Sequence, residues 1–317
     1  MMEKARIKRV VILFLCLSCF VSTAEAVTKE LTNPLLRYVT FRELRPFQSK
    51  VEELIKNEQS TGKVRDVAVY FRSLSDGMWF GINENEKFSP ASLLKVPVMM
   101  AYLKLAESDP DILKKKYAYR APHEVPPANI KSPTPREEGQ YYTVNELIKL
   151  AIQESDNVAN DILFTNIDQK ILDRVGVYLG VGLDGIGIEE DFVSVKTYCS
   201  MFRVLYNAAF LNKEMSQKAL ECLSNSVFND GIKAGVPEEV TVVHKFGERF
   251  FTDQQISQLH EIGIVYYPGN VYMLGIMTRG TDFKEQARVI QEISRLVYNE
   301  VDAQVKTWHA DENIRDF

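Results

Sequence analysis

Apolar positions along this chain repeat with two periods, and the change from one to the other divides it. In segment 46–59, Phe47, Val51, Leu54 and Ile55 share one face at helical spacing. Pro46 suits a first turn, where its missing N–H is not needed. Segments 66–74 and 78–82 read as strands, joined by a hairpin turn at Ser75-Asp76-Gly77. Segment 92–106 is a strongly apolar helix. A Pro- and charge-rich connection fills 110–139, and Thr143-Val144-Asn145-Glu146 is a capping box opening the next helix. Helices are predicted at 158–165, 168–179, 194–210 and 214–225. Strand patterning returns at 241–245, 259–266 and 271–278, with Pro268-Gly269-Asn270 joining the last two. Ile290, Ile293, Val297 and Val301 define a final helix at 285–305.

Strands at both ends of the chain and helices between them predict an α/β fold of the α+β kind. One five-stranded antiparallel sheet is flanked by the N- and C-terminal helices, and the middle helices form an inserted all-α lobe. The α/β lobe takes about 27–91 and 236–317, the α lobe about 92–235. A cleft between them is the expected place for a site. No internal repeat or low-complexity segment is present.

The first residues change the picture. Lys4, Arg6, Lys8 and Arg9 precede the apolar run 10–20, and Ala24-Glu25-Ala26 offers a small-x-small cleavage site. This is the layout of a secretory signal peptide over 1–26, which predicts a secreted or periplasmic protein. The alternative is an uncleaved N-terminal membrane anchor, although the apolar run is shorter than the ~20 residues of a spanning helix. Segment 1–26 carries +2, so a chain of net −5 leaves its remainder at −7. Such a body does not attract phosphate backbones, which argues against nucleic acid as a partner. Cys16 and Cys19 leave with the signal. Cys199 and Cys222, on separate helices, form either one bridge in an oxidising compartment or two buried thiols. His123, His244, His260 and His309 are scattered, with no CxxC or HExxH, so neither a metal site nor a cofactor is expected. A monomer is expected.

Ser92-Leu93-Leu94-Lys95 opens the apolar helix. Three residues apart, the hydroxyl and the amine lie one turn apart on one face. The positive end of the helix dipole favours a developing oxyanion there. Lys95 accepts the serine proton only as a neutral amine, so burial or a second cation must lower its pKa. The spacing alone is weak, since Ser60-Thr61-Gly62-Lys63 repeats it at a helix exit, where it reads as a solvated loop. Two further elements add weight. Ser155-Asp156-Asn157 falls between two helices of the α lobe, and Lys245-Phe246-Gly247 ends the first C-terminal strand.

Taken in order, these three elements resemble the penicillin-recognising serine hydrolases, above all the class A β-lactamases and their β-lactamase/transpeptidase-like fold. The likeness covers most of the chain after the signal. It implies Ser92 as nucleophile, Lys95 as its proton partner, and Ser155 as the group that passes a proton to the leaving nitrogen. It implies Asn157 as a hydrogen-bonding partner of the substrate amide. It implies Lys245 as the cation that depresses Lys95 and draws in a carboxylate, with Gly247 closing the motif, and the backbone N–H groups of Ser92 and Glu248 as the oxyanion hole.

The chain departs from that pattern twice. Phe246 stands where the family carries a hydroxyl for the substrate carboxylate, and His244 and Arg249 are the neighbours available to replace it. The short segment 180–192 offers Glu189, Glu190 and Asp191 but no Glu-x-x-Leu-Asn setting, and these acids read as the first turn of the next helix. The expected function is a secreted serine hydrolase opening a β-lactam or related amide, with slow deacylation. The alternatives are a peptidoglycan D,D-peptidase of the same fold and a non-catalytic module that holds a cell-wall fragment.

Overall fold

In β1 (Val64–Ser73), Val67, Val69 and Phe71 are buried on one side while Ala68 and Tyr70 are buried on the other, so this strand is covered on both faces. The computed structural model describes residues 44–125, 135–180 and 191–315. The signal-like segment 1–26 with Cys16 and Cys19, the acids Glu189 and Glu190, and part of the 110–139 connection lie outside those residues. All described residues belong to one compact unit.

The five-stranded antiparallel sheet is present. Beside β1 run β2 (Trp79–Ile82), β7 (Val242–Phe251), β8 (Ile256–Val265) and β9 (Tyr272–Gly280), in the order β2-β1-β9-β8-β7. Helices α1 (Gln48–Ser60) and α8 (Phe283–Arg315) cover one face, where Val51, Ile55, Ile290, Ile293 and Val297 meet Val69, Phe246 and Ile276. The other face packs on α2 (Lys95–Ala106), α3 (Val144–Gln153), α4 (Asn157–Asn166), α5 (Gln169–Leu179), α6 (Val195–Tyr206) and α7 (Lys213–Leu223). The capping box forms at Thr143 and Glu146, and Gly77 (φ +85°) and Gly269 (φ +86°) turn the two hairpins.

Two features differ from the pattern reading. Short strands β3 (Lys87–Phe88) and β6 (Val193–Ser194) pair with each other, as do β4 (Lys116–Ala118) and β5 (Tyr141–Thr143). At two or three residues each, they are too brief to show alternation. Strand β7 also runs past Lys245 to Phe251, because β7 and β8 close as a long hairpin with Phe251 opposite Ile256. Lys245-Phe246-Gly247 therefore lies inside a strand at the sheet edge rather than at a strand end. Of the two alternatives open for Cys199 and Cys222, the structure takes the second: both are free and buried.

Helix α6 approaches the sheet closely because Gly275 has no side chain. A Cβ there would collide with Cys199 Sγ and stand 2.8 Å from Val195 Cγ2. Gly275→Ala is expected to lower stability by about 1–3 kcal/mol through overpacking, read as a drop in the urea midpoint.

Candidate active site

The serine turn is built by what the backbone cannot do. Residues Ala91–Leu94 form a 3-10 turn and the α-helix begins only at Lys95, so Ser92 precedes the helix instead of opening it. Pro97 has no N–H to send back to Leu93 O, and that carbonyl accepts the Tyr198 hydroxyl at 2.6 Å. Ala91 holds φ +47°, a left-handed conformation that costs a non-glycine residue about 1–3 kcal/mol. Buried polar groups pin the approach to the turn. Gln258 Oε1 accepts the Ser89 N–H at 3.1 Å, and His260 Nε2 lies 3.0 Å from Ser89 O. Burial holds His260 neutral, its pKa lowered to about 3. Because the Thr278 N–H donates to Nδ1, the ring hydrogen sits on Nε2 and points at Ser89 O.

Lys95, Ser92, Ser155 and Asn157 meet. The Lys95 amine lies 2.7 Å from Ser92 Oγ, 2.9 Å from Ser155 O, 3.1 Å from Ser155 Oγ and 2.7 Å from Asn157 Oδ1. Two of these partners, Ser155 O and Asn157 Oδ1, only accept. They can take both hydrogens of a neutral amine, leaving its lone pair for the Ser92 hydroxyl. The pKa of Lys95 is lowered to about 7, and burial is the first cause, opposed by the charges of Asp156 and Glu248. Near neutral pH the amine is therefore balanced between base and acid.

Ser155 is held by its neighbours. It adopts φ +53°, again left-handed, directly before Asp156 caps α4 by accepting the Ala159 N–H at 2.7 Å. Tyr119 donates to Asp156 Oδ2 at 2.7 Å, and Arg136 reaches both Glu154 (2.7 Å) and Asp156 (3.8 Å). The middle residue of Ser-Asp-Asn is thus a strut that orients its two neighbours. Asp156→Ala is expected to cost about 1–3 kcal/mol, from the lost cap and the stranded Tyr119 hydroxyl. A melting curve checks the stability, and slower acylation of Ser92 accompanies it.

The third motif lies on the edge strand against the serine turn. Gly247 lies against the serine turn: a Cβ there would be 3.0 Å from both Pro90 O and Leu93 Cγ. This absence of a side chain brings Glu248 beside the Ser92 turn. Lys245 is wholly buried, donates to Phe246 O at 2.9 Å and lies 4.2 Å from the centre of the Phe246 ring. Burial first, and then the charge of Lys95, push Lys245 well below its ordinary range, and burial is likewise the first cause of the lowered Lys95.

Neither neighbour of Phe246 supplies the missing hydroxyl. Phe246 is buried and stacks on Phe228 at 4.6 Å. The His244 ring pairs with the buried Glu261 at 2.6 Å, and Arg249 lies over the Phe251 ring at 5.0 Å. Asp191 is likewise not in the first turn of α6, which carries no acid. It lies before β6, pairing with Arg279 at 2.8 Å and accepting from Gln258 at 3.0 Å. The β3–β6 pairing puts it there, where it clamps the chain behind the serine turn. Nothing in their local spacing marks Tyr198, Tyr119, Arg136, Gln258 or His260 as supports, because each acts across a tertiary contact. Among the described residues, no cluster of three His, Cys, Asp or Glu is placed to hold a metal ion.

Comparison with known proteins places this geometry. The profile of the group described as the Beta-lactamase enzyme family matches residues 46–301. Among solved structures, a mutant of PBP-A described as an acyl-enzyme complex with penicillin G superposes with a TM-score of 0.68 at 18% identity. That match covers 83% of this chain and 100% of the other. A class A β-lactamase from Mycobacterium abscessus gives 0.67 at 20% identity, over 79% and 98%. A β-lactamase from Sphaerobacter thermophilus gives 0.65 at 20% identity, over 79% and 96%. No curated sequence matches the chain significantly.

Proposed function

Because this chain belongs to the β-lactamase enzyme family, we propose that it is a serine hydrolase that acylates Ser92 with a β-lactam or a related amide. The observation that carries the reading is the 2.7 Å contact between Ser92 Oγ and a buried Lys95 amine whose pKa is about 7. In this reading Ser92 Oγ attacks the carbonyl carbon as its proton moves to Lys95. The C–N bond then breaks, and the leaving nitrogen takes a proton through Ser155. Asn157 orients the amide, and the N–H groups of Ser92 and Glu248 receive the oxyanion.

Release is the slow step of this proposal. Asp191, the acid of this loop that lies among the described residues, is bound to Arg279 and Gln258. A positioned general base is worth roughly 10²–10⁴ in rate, so a site in which the loop acid is held in this way keeps its acyl-enzyme longer. The same observation favours, as second reading, a peptidoglycan D,D-peptidase. Export to the periplasm or the cell exterior belongs to the proposal, supported by the pattern of residues 1–26.

A fluorescent penicillin followed by intact mass tests it. The expected result is a single covalent adduct on Ser92 that persists for minutes, and none on Ser92→Ala. Clearance within seconds would favour a rapid lactamase over slow release. Equal labelling of Ser92→Ala would remove Ser92 as nucleophile. No labelling of either protein, with a muropeptide still bound, would point to the non-catalytic module.

A further inference from the structure

We propose that the cleft between α2, α3 and α7 is a second ligand site, suited to a small amphiphile with a carboxylate head and an alkyl or aryl tail. The cleft holds about 410 Å³, within the range of small-molecule sites. Its apolar surface comes from Met99, Leu103 and Ile148, all buried in the core yet lining the space. Met99 and Leu103 follow Lys95 by four and eight residues, on the same face of α2 and about 6 and 12 Å further along its axis. The cleft is therefore distinct from the Ser92 site, although both draw residues from α2.

Charge selects the head group. Lys149 and Lys218 line the cleft, facing one acid, Glu221, whose Oε1 already accepts from Gln217 at 2.9 Å. This local excess of cations stands out on a chain of net charge −5. Cys222, on the wall, senses the same field: burial pushes its thiol up to about 12, and Lys149, Lys218 and Lys245 oppose that rise. An alkyl carboxylate satisfies both halves of the lining, with its tail on Met99 and Leu103 and its head between the two lysines. A cationic amphiphile satisfies only the first.

The cleft also contains its own reporter, since Cys222 lines it and Cys199 does not. Octanoate is the probe, with octylammonium as the charge control. Titration calorimetry on the full chain is expected to show saturable binding of octanoate and about tenfold weaker binding of octylammonium. The variant Lys149→Glu/Lys218→Glu changes an exposed and a half-buried side chain, and its fold is checked by its melting curve. It should bind octanoate about tenfold more weakly. Modification of Cys222 by methyl methanethiosulfonate, mapped by peptide mass, should slow about tenfold at ten times Kd by mass action, with Cys199 unaffected. Absent octanoate binding, equal binding by the charge-reversed variant or by octylammonium, or unprotected Cys222 would each overturn the site. None of these readouts involves acylation, so they succeed or fail independently of the role of Ser92.

Discussion

Lys95→Ala is expected to slow acylation of Ser92 by a fluorescent penicillin about 10²–10⁴-fold, the usual worth of a positioned general base. The substitution removes the one amine at 2.7 Å from Ser92 Oγ and leaves Ser155 O and Asn157 Oδ1 without their shared donor. In the wild-type chain the same group sets the pH dependence. Only the neutral amine accepts the serine proton, and its pKa is lowered to about 7. The acylation rate should therefore rise about tenfold per pH unit below pH 7 and level off above it. Lys95→Arg, a side chain that stays charged, should be as slow as alanine at every pH. Stopped-flow labelling between pH 5 and 9 reads all three proteins. A flat wild-type profile, or rapid labelling of Lys95→Ala, would assign the base to another group.

Gly247→Val carries the second large effect, expected as a loss of about 10²–10³ in acylation rate with the fold retained. Even a single Cβ at this position would meet Pro90 O and Leu93 Cγ at 3.0 Å, and valine adds two methyl groups to that contact. The edge strand β7 must then move away from the serine turn, taking the Glu248 N–H out of line with the Ser92 N–H. The size of the loss is that of one oxyanion donor. Gly247→Ala should fall between wild type and valine, since its single methyl is met by small shifts. A melting curve separates this from unfolding, and the acylation rate at saturating pH separates it from a changed Lys95. Unchanged acylation in Gly247→Val would mean that Glu248 N–H does not receive the oxyanion.

Some of this protein could be read directly from local spacing. Helix α5 ends where Gly180 adopts φ +68°, the capping box forms at Thr143, and each strand of the sheet lies within or beside its predicted segment. These features depend on residues within a few positions of one another, so short-range periodicity reveals them. The pairs β3–β6 and β4–β5 do not, because two or three residues carry no period. Ser92 and Lys95 were recognisable for the same short-range reason, at three residues apart. Asp191 was not: its ties to Arg279 and Gln258 span 88 and 67 residues, and no local pattern encodes them.

Three chemical identities, a hydroxyl one turn from an amine, a Ser-Asp-Asn turn and a Lys-x-Gly strand, are thus properties of the sequence, as is the lack of a hydroxyl at Phe246. What those groups do was decided by packing. A pKa is a property of surroundings, and burial in the assembled core is the first cause that brings Lys95 near neutrality. The left-handed backbone of Ser155, the Tyr198 bond that holds Leu93 O, the ion pair of Asp191 with Arg279 and the contact of the His244 ring with Glu261 arise only when distant segments meet. Covalent order supplies the reacting groups, whereas their protonation and aim depend on the dielectric and contacts that only the folded chain creates.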